Sequence, residues 1–264
     1  MSELVVLLSC MNNDESIIQK SNIQTDVIVV NQTENESVVE STFVNKFGVD
    51  CKSIFVNSTS RGLSRSRNLA ISMASKWKYG LLCDDDEIFE DDYEKIIADA
   101  YSDGRNDLIT FVVKREGKTH PSEPCKMKIR NILRTSSVQI TFLIEKIIEK
   151  GVHFDEEMGA GTGNGAGEEV MFMMQCKRAG FRMFYFPYQI ATLNIGGSSS
   201  WFAGFNEKYF QNRGWAARRT FGLPVGAAFL IFNVFHNRRK FNQNGGLTTG
   251  KMIKNCIIGL FSKR

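Results

Sequence analysis

Residues 1–113 alternate short apolar runs of strand length with stretches of helical spacing. The runs are rich in β-branched residues and comprise Leu4–Ser9, Asp26–Val30, Ser53–Val56, Tyr79–Cys83 and Leu108–Val113. Between the third and fourth runs, Leu69, Met73 and Trp77 recur four residues apart, which is the spacing of one helix face. Because strands that alternate with helices form sheets covered on both faces, the pattern predicts an α/β fold with a mainly parallel sheet. Ligands of such sheets bind at the carboxyl ends of the strands.

The composition is that of a soluble globular chain. Its 264 residues, 42% apolar and 23% charged, exclude a disordered or collagen-like chain. The six cysteines contain no C-x-x-C pair, which removes the main support for a zinc ribbon or a thioredoxin-like site. The first residues include an acidic side chain at Glu3 and an apolar run that is too short for a signal peptide, so we expect a cytoplasmic protein.

The charge is distributed unevenly along the chain. No Asp or Glu follows Glu207, whereas residues 208–264 contain 11 of the 33 Lys and Arg residues. We therefore expect residues 211–264 to be a basic tail that associates with an anionic membrane surface. Its last segment places apolar pairs at helical spacing, which is typical of a helix lying on a membrane: Met252/Ile253, Cys256/Ile257 and Leu260/Phe261. The alternative is that this apolar face docks on the protein itself. The preceding segment, Thr220–Asn237, has too few apolar positions to span a bilayer.

Three adjacent carboxylates, Asp84, Asp85 and Asp86, follow the apolar run Tyr79–Cys83. Such a cluster is costly unless a cation neutralises it. At the carboxyl end of a strand, Mg²⁺ or Mn²⁺ shared with a substrate phosphate fits this need, because these ions take one or two protein carboxylates. The alternative interpretation is an acidic loop or helix start.

Two further segments carry polar or glycine-rich signals. Arg61, Arg65 and Arg67 precede and open a helix, where guanidinium groups and backbone N–H groups can bind phosphate, although they could equally be surface charges. The segment 154–170 has glycine at every second position from Gly159 to Gly167, and a helix is expected to run from there to Gly180. A dinucleotide-binding fingerprint is not supported here, because no strand precedes these glycines directly.

Taken together, these motifs resemble the family 2 glycosyltransferases of GT-A fold. The run SRGLSRSRNLAISMASKWKYGLLCDDDE resembles the family's helix start, apolar strand and D-x-D element, and FDEEMGAGTGNGAGEEVMFMMQCKRAGFRMFYFP resembles its acceptor-side helix. The resemblance implies a GT-A-like, Rossmann-like catalytic domain over residues 1–210, with a donor half of about 1–113 and an acceptor half of about 114–210. The basic amphipathic tail then forms a C-terminal extension.

The resemblance also implies roles for individual residues. The nucleotide base would lie near Ser9, Met11, Asn12 and Asn31, with Arg61, Arg67 and Asp85 also on the donor side. Asp84 would lie near the ribose and the metal, and Asp86 would bind Mn²⁺ or Mg²⁺ directly. Asn194 stands where the family often has a histidine metal ligand.

On the acceptor side, Glu168 and Glu169 match the acidic pair whose second member acts as the base in inverting transfer. A structural role at a helix start is the alternative for both. Trp201 and Phe202 could stack on an acceptor sugar, although such aromatic pairs also serve packing.

The function expected from these features is metal-dependent inverting transfer of a sugar from a nucleotide donor, with UDP as the preferred nucleotide. The acceptor would be a hydroxyl of a polysaccharide or lipid-linked oligosaccharide, at the inner face of the cell membrane and without a nucleic-acid partner. Two alternatives remain at this point, a sugar nucleotidyltransferase and a non-catalytic membrane adaptor. Nothing in the sequence sets the oligomeric state.

Overall fold

The computed structural model describes residues 2–165, 167–194 and 204–262. Its strands are β1 Leu4–Met11, β2 Asp26–Gln32, β3 Ser37–Val44, β4 Asp50–Ser58, β5 Tyr79–Asp84, β6 Glu87–Phe89, β7 Leu108–Lys114, β8 Cys125–Lys126, β9 Ile140–Leu143 and β10 Met183–Leu193. Its helices are α1 Ser16–Lys20, α2 Leu63–Met73, α3 Tyr93–Tyr101, α4 Ile129–Ile132, α5 Ile144–Glu149, α6 Glu168–Arg178, α7 Glu207–Phe221, α8 Leu223–Gly245 and α9 Thr249–Phe261, with a 3₁₀ turn at Ser137–Gln139.

Within the described residues these strands form one mixed sheet in the order β3-β4-β2-β1-β5-β9-β7-β10-β6, and β8 pairs with β10. Neighbours among β4, β2, β1 and β5 run parallel, as do β7 and β10. Since β9 is antiparallel to both β5 and β7, these two strands run in the same direction. Six strands therefore point their carboxyl ends to one edge, and the α/β class expected from the sequence is confirmed.

The five apolar runs correspond to β1, β2, β4, β5 and β7. The predicted helix face is shorter than expected, because α2 ends at Met73 and Trp77 lies beyond it. Trp77 donates from Nε1 to Asp26 Oδ2 at 2.8 Å, so this indole is held by a buried carboxylate. The sequence patterns missed β3 and β10, and β10 inserts between β7 and β6, so the predicted donor and acceptor halves share one sheet.

Two apolar layers cover the sheet. On one face, α2 and α6 pack on the strands, and Phe154 stacks on Phe172 with ring centroids 4.2 Å apart. On the other face, α1 and α3 bury Tyr93 and Ile97 completely. This double coverage leaves the carboxyl edge of the parallel strands as the place where polar side chains collect.

The glycine-rich segment lets two backbones meet. Gly159 and Gly161 have φ angles of +98° and +87°, which favour glycine. A Cβ on Gly161 would lie 3.2 Å from the Cα of Gly62, and Leu63 N donates to Ala160 O at 3.1 Å. The segment thereby docks on the start of α2.

Helices α7, α8 and α9 form a separate apolar cluster. Helices α7 and α9 cross at glycines: a Cβ on Gly214 would lie 2.1 Å from Cys256 O, and one on Gly259 would lie 1.9 Å from Gln211 O. The predicted domain boundary at residues 210/211 falls inside α7. Among the described residues, no helix has the length and apolarity needed to cross a membrane.

Candidate active site

The sheet register brings donor-side residues from different strands together. Ser9 on β1 pairs in register with Asp84 on β5, and the next residue, Cys10, pairs with Asn31 on β2. All of these residues lie at the carboxyl ends of parallel strands, where a ligand crevice is expected. Ser9 is buried, and its hydroxyl has no hydrogen-bond partner among the described residues.

Arg67 on α2 is the centre of the site. Its Nη2 donates to Asp84 Oδ1 at 2.8 Å and to Ser137 Oγ at 2.7 Å, and its Nη1 donates to Glu168 Oε1 at 3.2 Å. The residue is 1% exposed, and its guanidinium lies 5.3 Å from the ring centroid of Phe154. Although burial opposes its charge, Asp84 and Glu168 hold the pKa of Arg67 above its ordinary value. Arg67 thus lies beneath the site and joins its two acidic groups.

Asp85 and Asp86 form the exposed part of the acidic cluster. Burial of their carboxylates, followed by the charge of Asp84, raises the pKa of each. Asp85 accepts a hydrogen bond from Asn13 Nδ2 at 3.1 Å. The main-chain N–H of Asn194, which follows β10, donates to Asp86 O at 2.7 Å. The position expected to carry a histidine in the resembling family is therefore adjacent to Asp86.

Glu168 and Glu169 open α6 directly after Gly167. Glu168 is buried, and its second carboxylate oxygen has no hydrogen-bond partner among the described residues. Burial, and then the charge of Glu168, raises the pKa of Glu169, whereas Arg67 acts in the opposite direction. A carboxylate whose pKa is raised in this way binds a proton more tightly than an ordinary carboxylate, which is a property that a general base requires.

The other predicted donor residues are arranged differently. The side chain of Asn31 accepts from Asn13 N at 3.0 Å and donates to Asn13 O at 2.8 Å, so it orders the loop after β1. Met11 at the end of β1 is 56% exposed, and Asn12, the first residue of the loop, has a φ of +53°. Arg61 pairs with Glu34 and is not joined to the carboxylate cluster by any ion pair within the described residues. Trp201 and Phe202 lie outside the residues that the structure describes.

Several residues of the site were missed from the sequence. Ser137 belongs to the 3₁₀ turn beneath Arg67 and carries no motif of its own. Arg115 follows the carboxyl end of β7, and its positive charge partly offsets the rise in the pKa of Asp86. Lys118 donates to Gln139 Oε1 at 3.1 Å. Burial and then Arg115 lower the pKa of Lys118, whereas the charge of Glu169 acts in the opposite direction. The signal available for Arg115 and Lys118 was their position just after a strand end.

Glu87 is a buried carboxylate next to the acidic cluster. It is 1% exposed, and neither of its oxygens has a hydrogen-bond partner among the described residues. Burial, and then the charge of Asp84, raises its pKa well above the ordinary range. The surroundings of Glu87 therefore disfavour the charged form of its carboxyl group.

The acidic cluster suits a hard divalent cation that is shared with a ligand. Asp86 is an exposed residue, and its pKa is raised by partial burial of the carboxylate and then by the negative charges of Asp84 and Asp85. In residues 2–165, 167–194 and 204–262, no three His, Cys, Asp or Glu side chains are grouped to enclose a metal. Since Mg²⁺ and Mn²⁺ commonly take one or two carboxylates and complete their shell with phosphate and water, the residues present fit that mode of binding.

Comparison with solved protein structures identifies the fold. No family model and no curated protein sequence matches the chain. TarS of S. aureus in complex with UDP-GlcNAc aligns over 97% of this chain and 79% of its own, with a TM-score of 0.67 and 16% identity. The mannosyltransferase PcManGT from Pyrobaculum calidifontis, in complex with GDP-Man and Mn²⁺, aligns over 98% of this chain and 74% of its own, with a TM-score of 0.52 and 14% identity. The chain has the GT-A glycosyltransferase fold. In this fold the cluster around Arg67 lies at the carboxyl edge of the sheet.

Proposed function

We propose that this protein is a metal-dependent, inverting glycosyltransferase that moves a sugar from a nucleotide donor to a hydroxyl group. The observation that carries the proposal is the guanidinium of Arg67, which joins Asp84 at the end of β5 to Glu168 at the start of α6. Asp84, which would lie on the donor side, and Glu168, which would lie on the acceptor side, are thereby held at one edge of a GT-A fold. Residues 1–210 would form the catalytic domain.

On the donor side, Asp86 and Asp84 would hold Mn²⁺ or Mg²⁺ together with the diphosphate of the donor. The ion supplies positive charge that stabilises the departing diphosphate. Ser9, Met11, Asn12 and Asp85 would contact the nucleoside. Asn31 and Arg67 would act through the residues they hold rather than by direct contact.

On the acceptor side, Glu169 would accept the proton of the attacking hydroxyl. The hydroxyl oxygen forms a bond to the anomeric carbon as the bond from that carbon to the diphosphate oxygen breaks. The electron pair leaves with the nucleoside diphosphate, and attack from the opposite face inverts the configuration. Glu168 would keep Glu169 basic through its charge, while Arg67 holds Glu168 in place.

The neighbouring structures and the charge of the tail guide the choice of donor and acceptor. TarS binds UDP-GlcNAc and PcManGT binds GDP-Man, and we favour a UDP-sugar as donor. The acceptor would be a hydroxyl of a polysaccharide or lipid-linked oligosaccharide, with Trp201 and Phe202 as candidate sugar contacts. The acid-free tail supports work at the cytoplasmic surface of the cell membrane.

A turnover panel tests this function. The purified chain is incubated with UDP-GlcNAc, UDP-glucose, UDP-galactose and GDP-mannose, each with Mn²⁺ or EDTA, and release of the nucleoside diphosphate is measured with and without oligosaccharide acceptors. We expect one donor to be turned over only with the metal and faster with an acceptor. Absence of metal-dependent binding and turnover for every nucleotide sugar would leave the adaptor interpretation. Turnover of a nucleoside triphosphate with a sugar phosphate would identify a nucleotidyltransferase instead.

A further inference from the structure

Helices α8 and α9 expose a large amount of apolar surface. On α8, Val225, Phe232 and Phe235 are 59%, 65% and 51% exposed, and on α9 Phe261 is 59% exposed. The opposite side of α9 is buried against the neighbouring helices through Met252, Cys256 and Leu260. Docking on the protein thus occupies only one face of α9, and its second face is open.

The exposed surfaces of the two helices are continuous. Ile231 of α8 and Ile257 of α9 line the same apolar groove between the helices, and each is 49% exposed. We use "apolar face" for the exposed residues on both sides of this groove, which are Val225, Ile231, Phe232, Phe235, Ile257, Ile258 and Phe261. A patch of this kind marks an interaction site more often than it marks ordinary surface.

Exposed positive charges lie on the same two helices as the apolar face. Arg238, Arg239 and Lys240 are exposed near the end of α8, and Lys251 and Lys254 are exposed on α9. Lys254 shares a helix side with Ile257, Ile258 and Phe261 at spacings of three, four and seven. Within the part of the chain that the structure describes, none of these five cations forms an ion pair, and no acidic residue follows Glu207.

We propose that the apolar face of α8 and α9 inserts into the surface of an anionic lipid bilayer, with its cations at the headgroups. Exposed apolar side chains on helices whose formal charges are all Lys and Arg are the combination that an anionic membrane interface binds. A symmetric contact between two copies would bring the same uncompensated cations together, which disfavours a second copy as the occupant.

The helical unit formed by α7, α8 and α9 is bonded to the segment before α6, on the proposed acceptor side of the site. Asn212 on α7 donates to Gly163 O at 3.1 Å, and Arg219 pairs with Glu157 at 2.7 Å and also with Asp155. Insertion of α8 and α9 would therefore hold the glycine-rich segment close to the bilayer. This step rests on the proposed function, and it identifies the substrate class as an acceptor presented at the membrane, such as a lipid-linked glycan.

Vesicle co-sedimentation of the full chain tests the proposal. The vesicles are phosphatidylcholine alone or phosphatidylcholine with phosphatidylglycerol at about 3:1, so that the second kind carries net negative charge. Wild type is expected to bind the anionic vesicles and to lose binding as salt rises. The variant with Phe232→Ser, Phe235→Ser and Phe261→Ser should show a partition coefficient lower by roughly tenfold or more. Neutralising the cations with Arg238→Gln, Arg239→Gln and Lys240→Gln should weaken binding to the anionic vesicles and should not change binding to the phosphatidylcholine vesicles.

The matched control carries serine at three exposed apolar positions around β3, at the far edge of the sheet. Val39, Val44 and Phe47 are 45%, 65% and 61% exposed, and their replacement should leave vesicle binding unchanged. Nucleotide-sugar binding by calorimetry, which needs no membrane, checks that each variant is folded and tests the proposed function separately. Equal sedimentation of the phenylalanine variant and wild type would overturn the proposal. So would a wild type that is dimeric without lipid when the phenylalanine variant is monomeric, because a second copy would then cover the face.

Discussion

Arg67 and Glu168 are hydrogen-bonded at 3.2 Å although they lie 101 residues apart in the chain. The same guanidinium is bonded to Asp84, so one buried cation compensates carboxylates from β5 and from α6. The two carboxylates cannot both remain charged and close without it, because like charges in a buried site repel strongly. Loss of this cation is therefore expected to affect stability and catalysis together.

Replacing Arg67 with Met should lower the free energy of unfolding by about 3–5 kcal/mol, because it leaves buried carboxylates unpaired. Urea denaturation measures this change. Arg65→Met is the matched control on the same helix, since Arg65 is half-exposed and its ion pair with Glu156 spans 3.4 Å. The control should change stability by less than about 1 kcal/mol. Equal effects of the two substitutions would show that Arg67 is not the central cation.

Glu169→Gln should reduce the transfer rate by roughly 10²–10⁴-fold with little change in donor affinity, because a general base would be lost. Glu168→Gln should reduce it less. The values to compare are kcat with one acceptor and the donor Kd by calorimetry. A larger loss of kcat at Glu168 would assign the base to that residue instead.

The pH dependence of kcat provides a test of the same pair. Since the pKa of Glu169 is raised by burial and by Glu168, the fraction of charged base should fall as pH falls through a range above that of an ordinary glutamate. Glu168→Gln removes a negative neighbour, so the acid side of the pH–rate profile should move to lower pH. A shift toward higher pH would contradict the electrostatic role given to Glu168.

Asp86→Asn should abolish metal-dependent donor binding and leave the fold intact, because the substitution removes a proposed metal ligand and relieves repulsion within the acidic cluster. Calorimetric titration with UDP and Mn²⁺ measures the effect. Asp92→Asn is a suitable control, because Asp92 is an exposed acid just before α3. Unchanged affinity in Asp86→Asn would remove the metal role from this residue.

Gly259→Ala should destabilise the helical unit by about 1–3 kcal/mol, because the new Cβ would overlap the main chain of α7. Gly250→Ala lies on the same helix with no atom within 4 Å of its new Cβ, so it should be neutral or slightly stabilising. Thermal melting of both variants gives the comparison. A Gly259→Ala variant as stable as the Gly250→Ala variant would mean that α7 and α9 are not in close contact.

Local patterns in the sequence were sufficient for much of the fold. The apolar runs that became β1, β2, β4, β5 and β7 are set by side chains within each run, and Gly167 marks the start of α6 through its own backbone preference. The position of Asp84–Asp86 at a strand end followed from the same local pattern. Strand β3 was missed because its apolar residues occur in adjacent pairs rather than in alternation, and because this edge strand is mostly exposed.

What only the tertiary structure decided is which of these local elements meet. The sequence indicated that Arg67, Asp84 and Glu168 were functional candidates, but it could not show that Arg67 is buried between the two acids or that Ser137 completes its contacts. It likewise placed Cys256 and Phe261 on one apolar face of α9, whereas packing against α7 and α8 buries Cys256 and leaves Phe261 exposed. The physical reason is that strand and helix formation depends on neighbours in the chain, while burial and charge pairing depend on residues that only the folded sheet brings together.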